Sequence, residues 1–272
     1  MLPSGQQASC LNASEARFVA QEMPRYFRHG VTLAKSRDGS PPVVFDVGAN
    51  VGLFTLYAHH ITGGDVRVYA FEPIPQTFAV LALNAAGCGP AVTPLNHALG
   101  RQEGDISFTH FPAVSAWSSA YRPDRDAAAE QARMTKGVAA VVERGVVMPW
   151  LRFVPKPLRD WVVRGGVRRM SKREHVTCRV RTLSQVIDER GIVRIDLLKI
   201  DVEGAEMDVL AGISIAHWPI IRQVVVEVEQ FDTRGPEVAS LFRSHGFTHI
   251  HESCDEIDRS VNTGMLVARR GP

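Results

Sequence analysis

The chain has 272 residues, 45% of them hydrophobic, enough for a sizeable core in one large domain or two small ones, which excludes a disordered tail or a fibrous repeat. Lys plus Arg number 31 against 29 Asp plus Glu, and a net charge of +2 gives no global case for nucleic acid or an anionic membrane as main partner. No apolar run reaches the ~18 to 20 residues that span a bilayer, no leader pattern opens the chain, and Cys10, Cys88, Cys178 and Cys254 form no CxxC pair, so a cytoplasmic chain with reduced thiols is expected.

In chain order, the first element is a helix over Ser14 to His29, with Asn12 or Ser14 as cap and Ala16, Val19, Ala20 and Met23 on one face. It belongs to an N-terminal helical cover of about residues 1–40. A strand, Val43 to Val47, then runs into the loop Gly48-Ala49-Asn50-Val51-Gly52 and a helix from Leu53 to His60. The cycle repeats with a strand at Val66 to Phe71, a turn at Glu72 to Pro75, and a helix from Thr77 to Ala86. Continuous apolar strands alternating with helices imply a parallel sheet covered on both faces.

From about Phe111 to His175 the alternation stops, and this proline-bearing stretch reads as an inserted lid within a single domain spanning 1–272. Between Arg133 and Glu174 it holds eleven basic residues against three acidic ones, interleaved with Trp150, Phe153 and Trp161. A solvated face is the plain reading of such a run; contact with an acidic surface or a phosphate-bearing carrier is the functional one. Strand signals return at Ile195 to Ile200, Val224 to Val228 and Gly264 to Ala268. The short link between Phe247–Ile250 and the last of these implies antiparallel pairing at that end.

The chemistry concentrates at strand ends. In Asp46-Val47-Gly48-Ala49-Asn50-Val51-Gly52 the glycines permit positive φ and close approach of a ligand at the carboxyl end of a strand. The loop is not GxGxxG, and an aspartate at its start repels a diphosphate and attracts a cationic amine. Glu72 follows Gly52 by 20 residues, where a carboxylate accepts ribose hydroxyls. Ribose plus an ammonium group without phosphate describes S-adenosylmethionine.

Asp201 closes the strand in Lys199-Ile200-Asp201-Val202-Glu203-Gly204-Ala205-Glu206 and is expected over the same pocket, whereas Glu206 reads as an ordinary surface residue of a first helical turn. Glu227 and Glu229 lie two apart on one strand face, as candidate general bases or substrate-orienting groups. The ten histidines suggest no metal site; His97 and His110 stand in reserve as proton acceptors.

With these residues in view, the chain resembles the FkbM family of S-adenosylmethionine-dependent methyltransferases. The likeness rests on VVFDVGANVGLFTL (Val43 to Leu56), VYAFEPIPQTF (Val68 to Phe78), IDLLKIDVEGAEMDVLAG (Ile195 to Gly212) and WPIIRQVVVEVE (Trp218 to Glu229). It looks most similar to O-methyltransferases associated with polyketide synthases and nonribosomal peptide synthetases. The resemblance implies a class I, Rossmann-like fold, a seven-stranded, mostly parallel sheet with one antiparallel strand. It further implies that Asp46, Gly48, Asn50 and Gly52 hold the methionine end, Glu72 the ribose, and Asn96 to Leu99, with Asn96 and Ala98 as contacts, the adenine. Asp201 would lie close to the transferred methyl. Where similar enzymes would carry a His two residues after Glu227, this chain has Glu229, which favours a carboxylate, or a His from elsewhere, as the base.

The function expected is methyl transfer to a hydroxyl of a secondary metabolite, be it a polyketide, a nonribosomal peptide or a sugar moiety, free or carrier-bound. Nucleic acid and membrane are not expected partners. The alternative is a cofactor-binding docking or sensing module without turnover. The acceptor, metal dependence and oligomeric state carry no sequence mark.

Overall fold

A computed structural model describes residues 7–110, 149–170 and 174–271, together with a few positions between 132 and 143. The N-terminal helix α1 (Ala13–Glu22) starts where Asn12 Oδ1 accepts the Glu15 N–H. It stops well short of His29, because Pro24 lacks a donor; Met23–Phe27 instead forms a 3-10 turn. Ala20, Met23 and Tyr26 on this segment are buried against the sheet side that also carries Phe54 and Leu81.

Two βα cycles follow as expected: β1 (Val43–Val47), α2 (Leu53–Ile61), β2 (Arg67–Phe71) and α3 (Pro75–Ala86). Next come β3 (Val92–Leu95), β4 (Ala98–Leu99) and β5 (Gly104–His110). Within the region read as a lid, Pro149–Phe153 is a 3-10 turn and α4 spans Lys156–Met170. Its small apolar cluster includes Leu151, Val163 and Val167, while Trp150, Phe153 and Trp161 are exposed. Four of the eleven basic residues of this run, Arg133, Arg144, Lys172 and Arg173, lie outside the described residues.

The chain returns through β6 (Glu174–Arg181), which begins just inside the stretch read as lid and pairs antiparallel with β5 from His110↔Glu174 onward. The order is then α5 (Leu183–Arg190), β7 (Leu197–Ile200), α6 (Glu206–Ala211), β8 (Gln223–Glu229), α7 (Phe231–Ser244), β9 (His249–Ser253), α8 (Glu256–Val261) and β10 (Thr263–Arg269). A capping box at Thr182 and Gln185 fixes the start of α5, and Gly191 in the left-handed region ends it.

Seven strands form one sheet in the order β3-β2-β1-β7-β8-β10-β9, and β4-β6-β5 form a second, smaller sheet that the strand patterns do not announce. The first five strands of the large sheet run parallel, and β10 is antiparallel to both of its neighbours. This is the α/β, Rossmann-like order expected of a class I fold. Strands β1, β7, β8 and β10 are apolar almost throughout because helices cover both faces, which splits the core into two clusters around Phe45, Leu198 and Phe242 and around Val44, Phe54 and Leu81. Among the described residues no helix is long and apolar enough to cross a membrane.

Candidate active site

The chain leaves β1 toward β2 and β3 on one side and returns at β7 on the other, so the sheet's topological switch point lies between β1 and β7. Open α/β sheets bind ligands at the carboxyl ends of strands beside such a point. Four neighbouring strands, β2, β1, β7 and β8, carry acids there: Glu72, Asp46, Asp201 and the pair Glu227 and Glu229.

The loop after β1 is shaped by its neighbours. Gly48 has φ +76°, and a Cβ on it would fall 1.8 Å from the Asp201 carbonyl oxygen, so glycine is required here for two loops to touch and not for a ligand to approach. Gly52 (φ +88°) likewise admits Leu81, whose Cδ1 would be 2.7 Å from a Cβ. The Gly48 and Ala49 N–H groups donate to the Phe71 carbonyl at 3.1 and 2.9 Å. Asn50, itself at φ +50°, turns its N–H onto Glu72 Oε2 at 3.0 Å.

Glu72 is 6% exposed, and its second oxygen accepts the Ile74 N–H at 2.9 Å. Burial pushes its carboxyl up to about 7, against the pull of those two N–H donors. Each oxygen keeps a further lone pair for a hydroxyl. Asn96 sits exposed at the rim and donates to the carbonyls of Glu72 and Pro73 at 2.9 and 3.0 Å, fixing the turn; Ala98, half-buried, opens β4.

Asp46 and Asp201 come together around a residue that the sequence motifs do not single out. The Lys199 ammonium is buried on β7, 3.1 Å from Asp46 Oδ1 and 3.6 Å from Asp201 Oδ2, and donates to the Gly48 carbonyl at 2.9 Å. Burial opposes its charge, but Asp46 and then Asp201 outweigh that and hold it above the ordinary lysine range. Tyr26, from the 3-10 turn after α1, donates its hydroxyl to Asp201 Oδ2 at 2.9 Å, so the N-terminal cover supplies a side chain to the site. The one sequence signal for Lys199 is a lysine inside an otherwise apolar strand.

Thr55 on α2 donates to Asp46 Oδ2 at 2.6 Å in a fully buried contact. Thr55→Val removes that charge-assisted bond at nearly constant volume and should cost about 2 kcal/mol in denaturant unfolding. A loss below ~0.5 kcal/mol would mean that Lys199 alone suffices for Asp46.

The two β8 carboxylates part company. Glu227, half-buried, faces Asp201, Arg25, Asp258 and Lys199, and burial, reinforced by Asp201 and opposed by Arg25, pushes it up to about 8. Arg25 is itself ion-paired with Asp258 of α8 and with Glu22. Glu229, 5% exposed, instead lies by Glu206.

Glu206 is no surface residue: it is 1% exposed, accepts the Gly204 N–H at 2.6 Å, and is raised to about 7 by burial. The tight Gly204 turn folds this first helical turn inward. His97 is buried edge-on to Phe71, and burial together with Arg181 lowers it to about 4, which keeps it neutral; its charged neighbours are Arg181, Arg179, Glu189 and Arg190. His110, also lowered by burial, faces Glu174. Among the described residues no cluster of three or more His, Cys, Asp or Glu has metal-binding geometry.

Residues 46–248 match the family described as methyltransferase FkbM domain. The chain is 39% identical to 31-O-demethyl-FK506 methyltransferase FkbM of Streptomyces tacrolimicus, over 99% of this chain and 95% of that protein. It is 31% identical to methyltransferase sdnD of Sordaria araneosa, over 94% and 90% of the two chains. It is also 36% identical to AMB antimetabolite synthetase AmbE of Pseudomonas aeruginosa, where 90% of this chain covers 11% of that longer protein.

Proposed function

The chain belongs to the FkbM methyltransferase family, and from that premise we propose that it is an S-adenosylmethionine-dependent O-methyltransferase acting on a hydroxyl of a small biosynthetic intermediate. The observation that carries the reading is the row of acids on four adjacent strand ends at the switch point, Glu72, Asp46, Asp201 and Glu227. The donor set fits this cofactor. Glu72 has lone pairs for ribose hydroxyls, Asp201 keeps 28% of its side chain exposed, and the Gly48, Ala49 and Asn50 N–H groups that could cradle a pyrophosphate already donate to Phe71 and Glu72.

When bound, S-adenosylmethionine supplies a methyl group already activated by a sulfonium. The protein's part is to align the acceptor oxygen and to take its proton as the carbon–oxygen bond forms. Glu227 fits that role best, because its carboxyl stands beside Asp201 and burial makes it a stronger base than a solvated glutamate. Gly48, Asn50 and Gly52 set the loop, and Asn96 and Ala98 would border the adenine. Glu229 stands behind this group, with Glu206. The relative in which this fold is one segment of a synthetase favours an acceptor presented within a biosynthetic assembly, free or on a carrier.

Calorimetric titration with S-adenosylmethionine and with NAD tests the cofactor, and a screen of hydroxylated acceptors tests the reaction. Glu72→Ala should weaken the first affinity by roughly 1.5 to 3 kcal/mol, the scale of hydrogen bonds to a charged group. Binding of NAD alone, or unaltered affinity in a folded Glu72→Ala variant, would sink the assignment.

A further inference from the structure

Lys199 has no assigned role, yet it occupies the centre of the charge cluster. Its three ammonium hydrogens face the Gly48 carbonyl at 2.9 Å, Asp46 at 3.1 Å, and the Val47 carbonyl and Asp201 at 3.5 and 3.6 Å. Its side chain is 4% exposed, and the rings of Tyr26 and Phe54 stand 5.8 and 5.7 Å from the nitrogen. Nothing is left over to reach a ligand, so what Lys199 contributes is charge and position.

Asp46 is fully buried and Asp201 is partly exposed, and two carboxylates that share one ammonium would repel each other without it. The lysine lies between them, and the formal charges of Asp46, Asp201 and Lys199 sum to one negative, with Glu227 beside them. On the cofactor reading above, the methyl donor carries one net positive charge, from sulfonium, ammonium and carboxylate together, and its demethylated product carries none. We propose that Lys199 is a positioning residue that sets this single net negative charge, so that the cleft discriminates the charged methyl donor from the neutral product and releases the product after transfer.

The test is the ratio of affinities for S-adenosylmethionine and S-adenosylhomocysteine, measured by titration at neutral pH. Asp201→Asn cancels the net charge and should lower the preference for S-adenosylmethionine about tenfold, the effect of one charge at short range in a partly screened site. Adding Lys199→Met restores one net negative charge, on Asp46, and should return the preference to within about twofold of wild type. Should that double variant not fold, Asp46→Asn with and without Lys199→Gln reads the same exchange.

If both ligands weaken equally in the single and double variants, Lys199 is packing alone and the proposal falls while the cofactor reading stands. A wild-type protein that binds neither ligand overturns the cofactor reading, and the proposal with it.

Discussion

Replacing Glu227 by Gln should lower methyl transfer by about 10²- to 10⁴-fold while leaving the dissociation constant for S-adenosylmethionine within about twofold of wild type. Gln keeps the shape and the hydrogen-bonding capacity but takes no proton. Glu72 and the loop after β1 are held by bonds of their own, from the Asn50 and Ile74 N–H groups, which is why cofactor affinity should survive. The wild-type pH profile is a second readout. Burial and Asp201 raise the Glu227 carboxyl to about 8, and a base works only when ionised, so kcat/KM should climb as pH rises and level off above that value. Wild-type turnover in the variant would remove Glu227 from the mechanism and leave Glu229 as the next carboxylate to substitute. Loss of turnover matched by loss of cofactor affinity would instead give Glu227 a structural part.

Much of this site is legible in the amino-acid sequence, and the part that is not has a common cause. Glu72 and Asp201 each follow an apolar strand directly and Asp46 is the next-to-last residue of one, and a strand end is a local signal. The register of a parallel sheet then brings them together, as Val47 pairs with Phe71 and with Ile200. The partners that no local pattern reveals come from far along the chain. Tyr26 reaches Asp201 across 175 residues, and Arg25 reaches Asp258 across 233.

Lys199 is hidden differently: it sits in a strand whose other residues are all apolar, and only the pairing of β1 with β7 shows that it faces Asp46. Glu206 misleads because first-turn glutamates are usually solvated, whereas here the turn at Gly204 folds inward over it. The two-stranded register of β5 with β6 spans the segment read as a lid, and strands separated by more than 60 residues leave no hairpin signature.

The helix expected over Ser14 to His29 fails at one residue. Pro24 breaks it after Glu22, and the resulting 3-10 turn is what aims Tyr26 at Asp201. A continuous helix would carry that side chain along a different face, so the breaker in the sequence is part of how the cover contributes to the site.

Gly48→Ala should be among the most damaging small substitutions in the chain, destabilising it by at least about 3 kcal/mol and abolishing measurable cofactor binding. Two costs combine. Alanine at φ +76° carries the left-handed penalty of about 1 to 2 kcal/mol. Its Cβ would also stand 1.8 Å from the Asp201 carbonyl oxygen, which is backbone and has no rotamer through which to withdraw. Relief requires the loops after β1 and β7 to separate, and those loops carry Asp201 and the Lys199 contact to Gly48 and lie next to Asp46. Gly63→Ala is the matched control: its φ is +62° with nothing within 4 Å of a Cβ, so it should show the conformational penalty alone. Denaturant unfolding of the two variants separates strain from collision. Equal losses at the two positions would show that the loops part freely, and the close contact at the switch point would then have no bearing on the geometry of the site.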